Sequence, residues 1–140
     1  MIIMSVDRGN ARTGIAYSDK SESFAFPAQV ITEYNAEKLS EKICLCAKEY
    51  GAQLIVVGLP RRTDGSISDS AQECMALAES LKSLSGLPVE LYDERFTTVS
   101  AHTALNETNT RGKKRKAVID AVAATMILED YLRFRKNSTK

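Results

Sequence analysis

Residues 1–17 are MIIMSVDRGNARTGIAY, and this segment predicts how the sheet of the protein begins. Its two apolar runs, Met1 to Val6 and Thr13 to Tyr17, have the composition of β-strands. Gly9-Asn10-Ala11 lies between the runs and favours a turn, and Phe24 to Ile31 has the character of a third strand. We therefore expect an antiparallel meander of three strands.

The following residues alternate between helical and extended patterns. Apolar residues recur at helical spacing between Asn35, a candidate N-cap, and a helix stop at Gly51. The next segments are predicted as a strand over Leu54 to Val57, a helix over Ser70 to Leu84, a strand over Val89 to Tyr92, a short helix over Thr98 to Asn106 and a long helix over Arg115 to Phe134. The expected fold class is α/β, a five-stranded mixed sheet in which two parallel strands join the meander, flanked by helices.

Acidic residues stand at the ends of predicted strands and inside the last predicted helix. Asp7 ends the first apolar run, Asp93 and Glu94 end the fifth strand, and Asp120 interrupts an apolar helical segment. Parallel strands bring their carboxyl ends to one sheet edge, where ligands of open α/β sheets bind. Two carboxylates about 4 Å apart repel by ~4 kcal/mol at an effective dielectric near 20, so the cluster needs a cation, a basic partner or a raised pKa. Mg²⁺ would satisfy all of them, and two such ions suit phosphodiester hydrolysis.

The neighbouring acids Asp93 and Glu94 should point to opposite faces of a strand, so at most one of them faces the metal. We favour Glu94, with Asp93 as the alternative. Each acid also has a purely structural explanation, because the helix dipole favours Asp120 near a helix start and Asp7 could cap the turn before Arg12.

A basic cluster precedes the last predicted helix. Five cations fall within six residues, and they are Arg111, Lys113, Lys114, Arg115 and Lys116. The amino end of a helix already carries positive partial charge, so the placement is intrinsically unfavourable and phosphate oxygens would offset it. A solvated face is the usual meaning of such a run, but this position favours contact with nucleic acid.

The composition fits one soluble domain, which we expect over residues 1–135, with a disordered tail over residues 136–140. The 140 residues are 44% hydrophobic and 26% charged, with a net charge of +1. Any affinity for a polyanion must therefore come from a local patch. Three cysteines without zinc-site spacing indicate a reducing, cytoplasmic location, and no apolar run is long enough to span a membrane.

Four motifs give this chain a resemblance to a known family. They are DRGNARTGIA at 7–16, GLP at 58–60 with DGS at 64–66, DERFTT at 93–98, and KRK at 114–116 with IDAVAA at 119–124. In order and content they resemble the YqgF family, also called RuvX, and they span nearly the whole chain.

The resemblance implies an RNase H-like fold and a nuclease. It implies a nuclease that matures the 5′ end of pre-16S ribosomal RNA, with a Holliday junction resolvase acting on branched DNA as the alternative. It further implies that Asp7, Glu94 and Asp120 are catalytic acids holding Mg²⁺ or Mn²⁺. It also implies that Arg12, Arg95 and the cluster Lys113, Lys114, Arg115 and Lys116 lie near the substrate. Arg61 and Arg62 are further candidates for phosphate contact from the sequence itself.

The chain departs from the family pattern at Arg8 and at Arg61-Arg62-Thr63. The extra arginines either strengthen phosphate contact or are neutral changes on a surface loop. Two functions of another class stay open, an ATP-binding half domain and a non-catalytic RNA-binding module. Trimming one RNA end needs a single site whereas resolving a junction needs a symmetric pair, so both a monomer and a homodimer are compatible with the sequence.

Overall fold

The computed structural model describes residues 1–9, 12–59, 69–93 and 112–138, of which 69–70, 112–121 and 138 are described as backbone only. The elements in these ranges are β1 (Ile3–Arg8), β2 (Arg12–Ser18), β3 (Ala25–Thr32), α1 (Ala36–Tyr50), β4 (Leu54–Leu59), α2 (Asp69–Ser85), β5 (Val89–Asp93) and α3 (Gly112–Ser138). The predicted strands and the three longer helices are confirmed within a few residues. The predicted helix over Thr98 to Asn106 lies outside the described residues.

The five strands form one mixed sheet in the order β3-β2-β1-β4-β5. β2 is antiparallel to both β1 and β3, whereas β4 is parallel to both β1 and β5. The carboxyl ends of the three parallel strands, at Arg8, Leu59 and Asp93, therefore lie along the same side of the sheet. We call this side the carboxyl edge. The predicted sheet is confirmed in strand number and direction.

Local signals in the sequence explain where α1 begins and ends. The Asn35 side chain accepts a hydrogen bond from the backbone N–H of Lys38 at 3.0 Å, as an N-cap does. Gly51 follows the helix with φ of 72°, a left-handed conformation that glycine adopts without steric cost. The next strand, β4, is buried along its whole length, because helices cover both faces of the sheet.

Helices α1 and α2 cover one face of the sheet and α3 covers the other. In β1, Met4 and Val6 belong to the core under α1 and α2, whereas Ile3 packs into the core under α3. The buried residues of α3 are small or apolar, and they are Ala123, Ala124, Ile127, Leu128, Tyr131 and Leu132. The sheet therefore packs against helices on two sides, which we call the α1/α2 face and the α3 face.

The carboxyl end of α3 is held near the start of β1. Arg135 Nε donates to Glu22 Oε1 at 2.8 Å, and the N-terminal ammonium of Met1 donates to Glu22 Oε2 at 3.2 Å. Burial alone raises the pKa of Glu22, but these two hydrogen bonds outweigh it and lower that pKa. Helix α3 continues through residues 136–138.

Helix α3 is 27 residues long, which corresponds to about 40 Å. Within residues 1–9, 12–59, 69–93 and 112–138, no helix is both long and apolar enough to cross a lipid bilayer. The length of α3 instead lets it span the sheet and continue past its carboxyl edge.

Candidate nucleic-acid-processing site

Asp7 lies on the α3 face at the carboxyl edge. Side chains alternate between the two faces of a strand, and Ile3 and Ser5 of β1 both contact α3 or its core. Asp7 is the next residue in that series, and it is half-buried. The first predicted catalytic acid therefore lies at the edge and on the side of the sheet that the last helix covers.

Two glycines flank Asp7 on the neighbouring strands. Gly14 of β2 is directly opposite Asp7, and Gly58 of β4 comes immediately after Val57, the partner of Val6. Both glycines are buried. A glycine inside a strand weakens it and often marks a place where a ligand or another backbone approaches closely. At these two positions beside Asp7 no side chain projects onto the α3 face.

A buried hydrogen bond fixes the position of α3 against β1. The Ser5 hydroxyl donates to the carbonyl oxygen of Ala124 at 2.7 Å. Because α3 ends near the start of β1, the helix runs antiparallel to that strand. Asp120 precedes Ala124 by one turn, about 6 Å, and Asp7 follows Ser5 by two residues, about 7 Å. The backbones of residues 7 and 120 therefore lie at about the same height along the strand direction, near the carboxyl edge.

Asp93, the last residue of β5, does not lie on the face that carries Asp7. Tyr92 packs into the core under α3, and Tyr131 of α3 donates a hydrogen bond to Glu90, so both of these β5 residues lie on the α3 face. Val89 belongs to the opposite core, and Asp93 falls on its side by alternation. Glu94, the favoured acid, lies outside the described residues.

Arg12 and Arg8 diverge to opposite faces at the turn between β1 and β2. Arg12 is half-buried. It precedes Gly14 by two residues and Ala16 by four in β2, so by strand alternation it lies on the same face as they do, the α3 face beside Asp7. Arg8 pairs with Glu73 of α2 at 2.7 Å. The unusual Arg8 is thus tied to the α1/α2 face, away from the face that carries Asp7.

Gly9 makes this turn possible. Its N–H donates to the Arg12 carbonyl at 2.9 Å, and a Cβ at position 9 would come within 2.4 Å of that oxygen. A residue with a side chain would therefore displace Arg12 or open the turn.

The basic cluster starts α3. The helix begins at Gly112, so Lys113, Lys114, Arg115 and Lys116 occupy its first turn and the start of the next, and that first turn contains no acidic residue. These positions precede Asp120 by four to seven residues, so the backbone extends roughly 6 to 10 Å beyond it. The first turn of the α3 backbone therefore extends past the carboxyl edge. Arg61, Arg62 and Arg95 lie outside the described residues.

Tyr92 completes a row of residues on the α3 face. It pairs with Gly58 in the register of β4 and β5, so the row across four strands is Gly14, Asp7, Gly58 and Tyr92. Burial raises the pKa of the Tyr92 phenol, and the nearby Asp130 carboxylate raises it further. The phenol is therefore neutral at physiological pH and keeps its proton for hydrogen bonding. The sequence alone does not mark Tyr92 as a residue of the candidate site, because only its position one residue before Asp93 distinguishes it.

Carboxylate oxygens are the ligands that Mg²⁺ and Mn²⁺ prefer. Within the described side chains no group of three or more His, Cys, Asp or Glu residues could hold a metal ion. Of the three acids expected to bind the metal, only Asp7 belongs to that set, since the side chains of Glu94 and Asp120 are outside it. The carboxylate of Asp7, flanked by two glycines, has the chemistry that a divalent cation prefers.

Comparison with known proteins identifies relatives along nearly the whole chain. The model of a family described as RuvX, Holliday junction resolvase, matches residues 1–134. A protein of Clostridium novyi (strain NT), named "Putative pre-16S rRNA nuclease", is 38% identical over 138 residues, covering 94% of this chain and 98% of that protein. A protein of the same name from Thermoanaerobacter pseudethanolicus is also 38% identical, over 98% of this chain and 99% of its own length.

Among solved structures, the chain is similar to T. thermophilus RuvC in complex with a Holliday junction substrate. The TM-score is 0.62 at 12% identity, and the match covers 96% of both chains. At this identity the similarity concerns the fold, and it confirms the predicted RNase H-like α/β class.

Proposed function

This chain belongs to the RuvX family and is a nuclease, and from that premise we propose that it processes the 5′ end of pre-16S ribosomal RNA during ribosome biogenesis. The named relatives support this substrate, because those that cover nearly the whole chain are named for pre-16S rRNA. Processing of ribosomal RNA in turn supports a cytoplasmic location. Residues 1–135 would act as one catalytic domain.

We propose that Asp7, Glu94 and Asp120 are the catalytic acids and that they hold Mg²⁺ or Mn²⁺. The observation that carries this proposal is the hydrogen bond from Ser5 to Ala124, since it sets positions 7 and 120 level at the carboxyl edge. When bound, such ions supply an activated water and stabilise the leaving oxygen of the phosphodiester. The protein residues contribute fixed carboxylate oxygens and a surface that a sugar-phosphate strand can approach. Tyr92 would add a hydroxyl donor on the same face.

The cations around this edge would hold the phosphates of the substrate. Arg12 lies on the α3 face beside Asp7, and α3 begins with lysines and an arginine beyond Asp120. Phosphate oxygens offset the unfavourable meeting of these cations with the helix dipole. Arg61, Arg62 and Arg95 are further candidates on the sequence alone.

The basic first turn of α3 allows a test in which two double substitutions remove the same charge from different sides of the helix. Lys113 and Lys116 lie seven and four residues before Asp120, on the same side of the helix, whereas Lys114 and Arg115 occupy its other sides. The double substitution Lys113→Ala with Lys116→Ala should raise the KM for RNA about tenfold and reduce the slope of log K against log salt by about 2.

The double substitution Lys114→Ala with Arg115→Ala removes the same charge and serves as the control. It should raise the KM by a smaller factor than the first double variant does, about threefold. Equal losses in the two double variants would contradict a contact specific to one side of the helix. Steady-state cleavage kinetics measure the KM, and fluorescence anisotropy with a labelled RNA at several salt concentrations measures the salt dependence of binding.

The choice of substrate can be tested by direct comparison. The native protein, with Mg²⁺, is offered an RNA carrying the precursor 5′ extension of 16S rRNA and, separately, a four-way DNA junction. We expect the RNA to be cleaved with a kcat/KM about 100-fold higher than that for the junction, a difference of roughly 2.7 kcal/mol in transition-state stabilisation. Paired symmetric cuts in the junction at the higher rate would instead favour the resolvase and a homodimer.

The same assay separates the functions of another class. Stabilisation of the protein by ATP without cleavage would favour a nucleotide-binding half domain. RNA binding that is independent of metal and gives no products would favour a non-catalytic module.

A further inference from the structure

A hydrogen bond that is buried at both ends joins β1 and α3 across their packed faces. Ser5 and Ala124 are both completely buried, and the Ser5 hydroxyl reaches the Ala124 carbonyl at 2.7 Å across 119 residues of sequence. The residues around this bond are apolar and include Ile3, Ile127 and Leu128. Apolar contacts have no preferred direction, whereas a hydrogen bond weakens steeply when its geometry changes. The serine hydroxyl is thus well suited to fix how far α3 has slid along β1.

The two residues that form the bond lie close in sequence to the two proposed acids, Asp7 and Asp120. Ser5 is the residue before Asp7 on the α3 face of β1, and Ala124 is one helical turn after Asp120. A shift of α3 along its axis would therefore change the distance between positions 7 and 120 directly. Metal-binding carboxylates tolerate little such change, because Mg²⁺ requires near-ideal coordination.

We propose that Ser5 is a positioning residue of the nuclease, which acts through the Ala124 carbonyl to hold Asp120 at the distance from Asp7 that a shared cation requires. The inference rests on the proposed function, since it assigns a role to Ser5 within the same site. Ser5 itself contacts neither the metal nor the substrate in this account.

Removing the hydroxyl should alter the site more than the fold. The Ala124 carbonyl belongs to α3 and accepts a backbone N–H four residues on, as in any α-helix, so it keeps a partner in the substitution Ser5→Ala. The variant also keeps the Cβ and opens only a small space. We therefore expect Ser5→Ala to fold, with a small decrease in Tm.

The test is a titration of the metal-free protein with Mn²⁺, followed by electron paramagnetic resonance, together with cleavage kinetics. Ser5→Ala should weaken Mn²⁺ binding about tenfold, in the range found when outer partners of metal ligands are removed. The kcat should fall about tenfold with the KM for RNA unchanged within about twofold, because misplacement of catalytic groups affects the chemical step. Ser5→Cys replaces the hydroxyl by a slightly larger thiol that donates weakly, so its Mn²⁺ affinity should lie between those of the native protein and Ser5→Ala.

Ser18→Ala provides the matched control. Ser18 is a second buried serine, and its hydroxyl accepts from the Ile3 N–H at 2.8 Å and donates to the Asp19 carbonyl at 3.0 Å. It lies at the end of the sheet opposite to Asp7. This substitution leaves a buried N–H without its partner, so it should lower the Tm at least as much as Ser5→Ala while leaving Mn²⁺ affinity and kcat unchanged.

Native Mn²⁺ affinity in Ser5→Ala would overturn the positioning role while leaving the nuclease assignment intact. Equal losses of affinity in Ser5→Ala and Ser18→Ala would also overturn it, since they would reflect general destabilisation. Failure of the native protein to bind Mn²⁺ and to cleave RNA would instead overturn the proposed function, and the positioning role with it.

Discussion

Asp7→Asn should reduce the single-turnover rate of RNA cleavage by at least about 1000-fold. The carboxylate of Asp7 lies at the carboxyl edge on the face that α3 covers, between two glycines of the neighbouring strands. Stabilisation of developing charge by bound metal amounts to several kcal/mol, and each 1.36 kcal/mol corresponds to about a factor of ten in rate. Asparagine has nearly the same shape but lacks the charge that holds the cation.

The fold of Asp7→Asn should remain intact. Removing one negative charge from a cluster of acids relieves repulsion, so the Tm in the absence of metal should equal or exceed that of the native protein. Stabilisation by added Mg²⁺ should be lost. Thermal unfolding with and without Mg²⁺ measures both effects, and a purified variant that still cleaves at the native rate would refute the role of Asp7.

Asp19→Asn is a control with the opposite pattern. The Asp19 carboxylate accepts hydrogen bonds from the Ser21 hydroxyl and from the backbone N–H groups of Phe24 and Ser23, in the turn between β2 and β3. The Ser21 bond and then the Phe24 bond lower the pKa of Asp19 to about 2. Its stabilising effect is therefore full above pH 3.8 and disappears as the pH falls through about 2. Asp19→Asn should lower the Tm at neutral pH and leave metal-dependent cleavage unchanged.

Glu94→Gln and Asp93→Asn should have very different effects although the two residues are neighbours. Glu94→Gln is expected to lower kcat by about 100-fold or more, and Asp93→Asn by less than about fivefold. The reason is strand alternation: Glu90 and Tyr92 lie on the α3 face, whereas Asp93 falls with Val89 on the other. If the extended pattern continues by one residue, Glu94 faces the same side as Asp7.

Each substitution removes one charge and is nearly isosteric, so the pair controls for net charge and for size. Cleavage rates at saturating Mg²⁺ give the comparison. A large loss in Asp93→Asn with a nearly native Glu94→Gln would show that the chain turns immediately after β5, and Asp93 would replace Glu94 in the metal site.

The elements that the sequence predicts well are those with local signals. The cap at Asn35 and the stop at Gly51 are encoded within a few residues, and both are observed. The apolar run that forms β4 is buried on both faces because α1 and α2 cover one and α3 the other. Parallel pairing of β1, β4 and β5 followed from the helices between them, since a crossover helix makes its flanking strands parallel.

The parts that the sequence could not predict depend on tertiary register. Gly14 and Gly58 are ordinary glycines in the sequence, and their relation to Asp7 exists only because the strands pair in one register. The bond from Ser5 to Ala124 joins residues 119 apart, and no periodic pattern encodes it. The helical residues after Phe134 are polar and lack an amphipathic repeat, and the ion pair of Arg135 with Glu22 holds the chain there.

We propose that acids from β1 and α3 converge on one cation. A crystal structure of the protein grown with Mn²⁺ tests this proposal most directly. The anomalous signal locates the ion independently of the protein coordinates. We predict one Mn²⁺ bridged by carboxylate oxygens of Asp7 and Asp120, with metal–oxygen distances of about 2.0 to 2.3 Å. An ion bound by Asp7 alone, with the Asp120 carboxylate too distant to share it, would contradict the account.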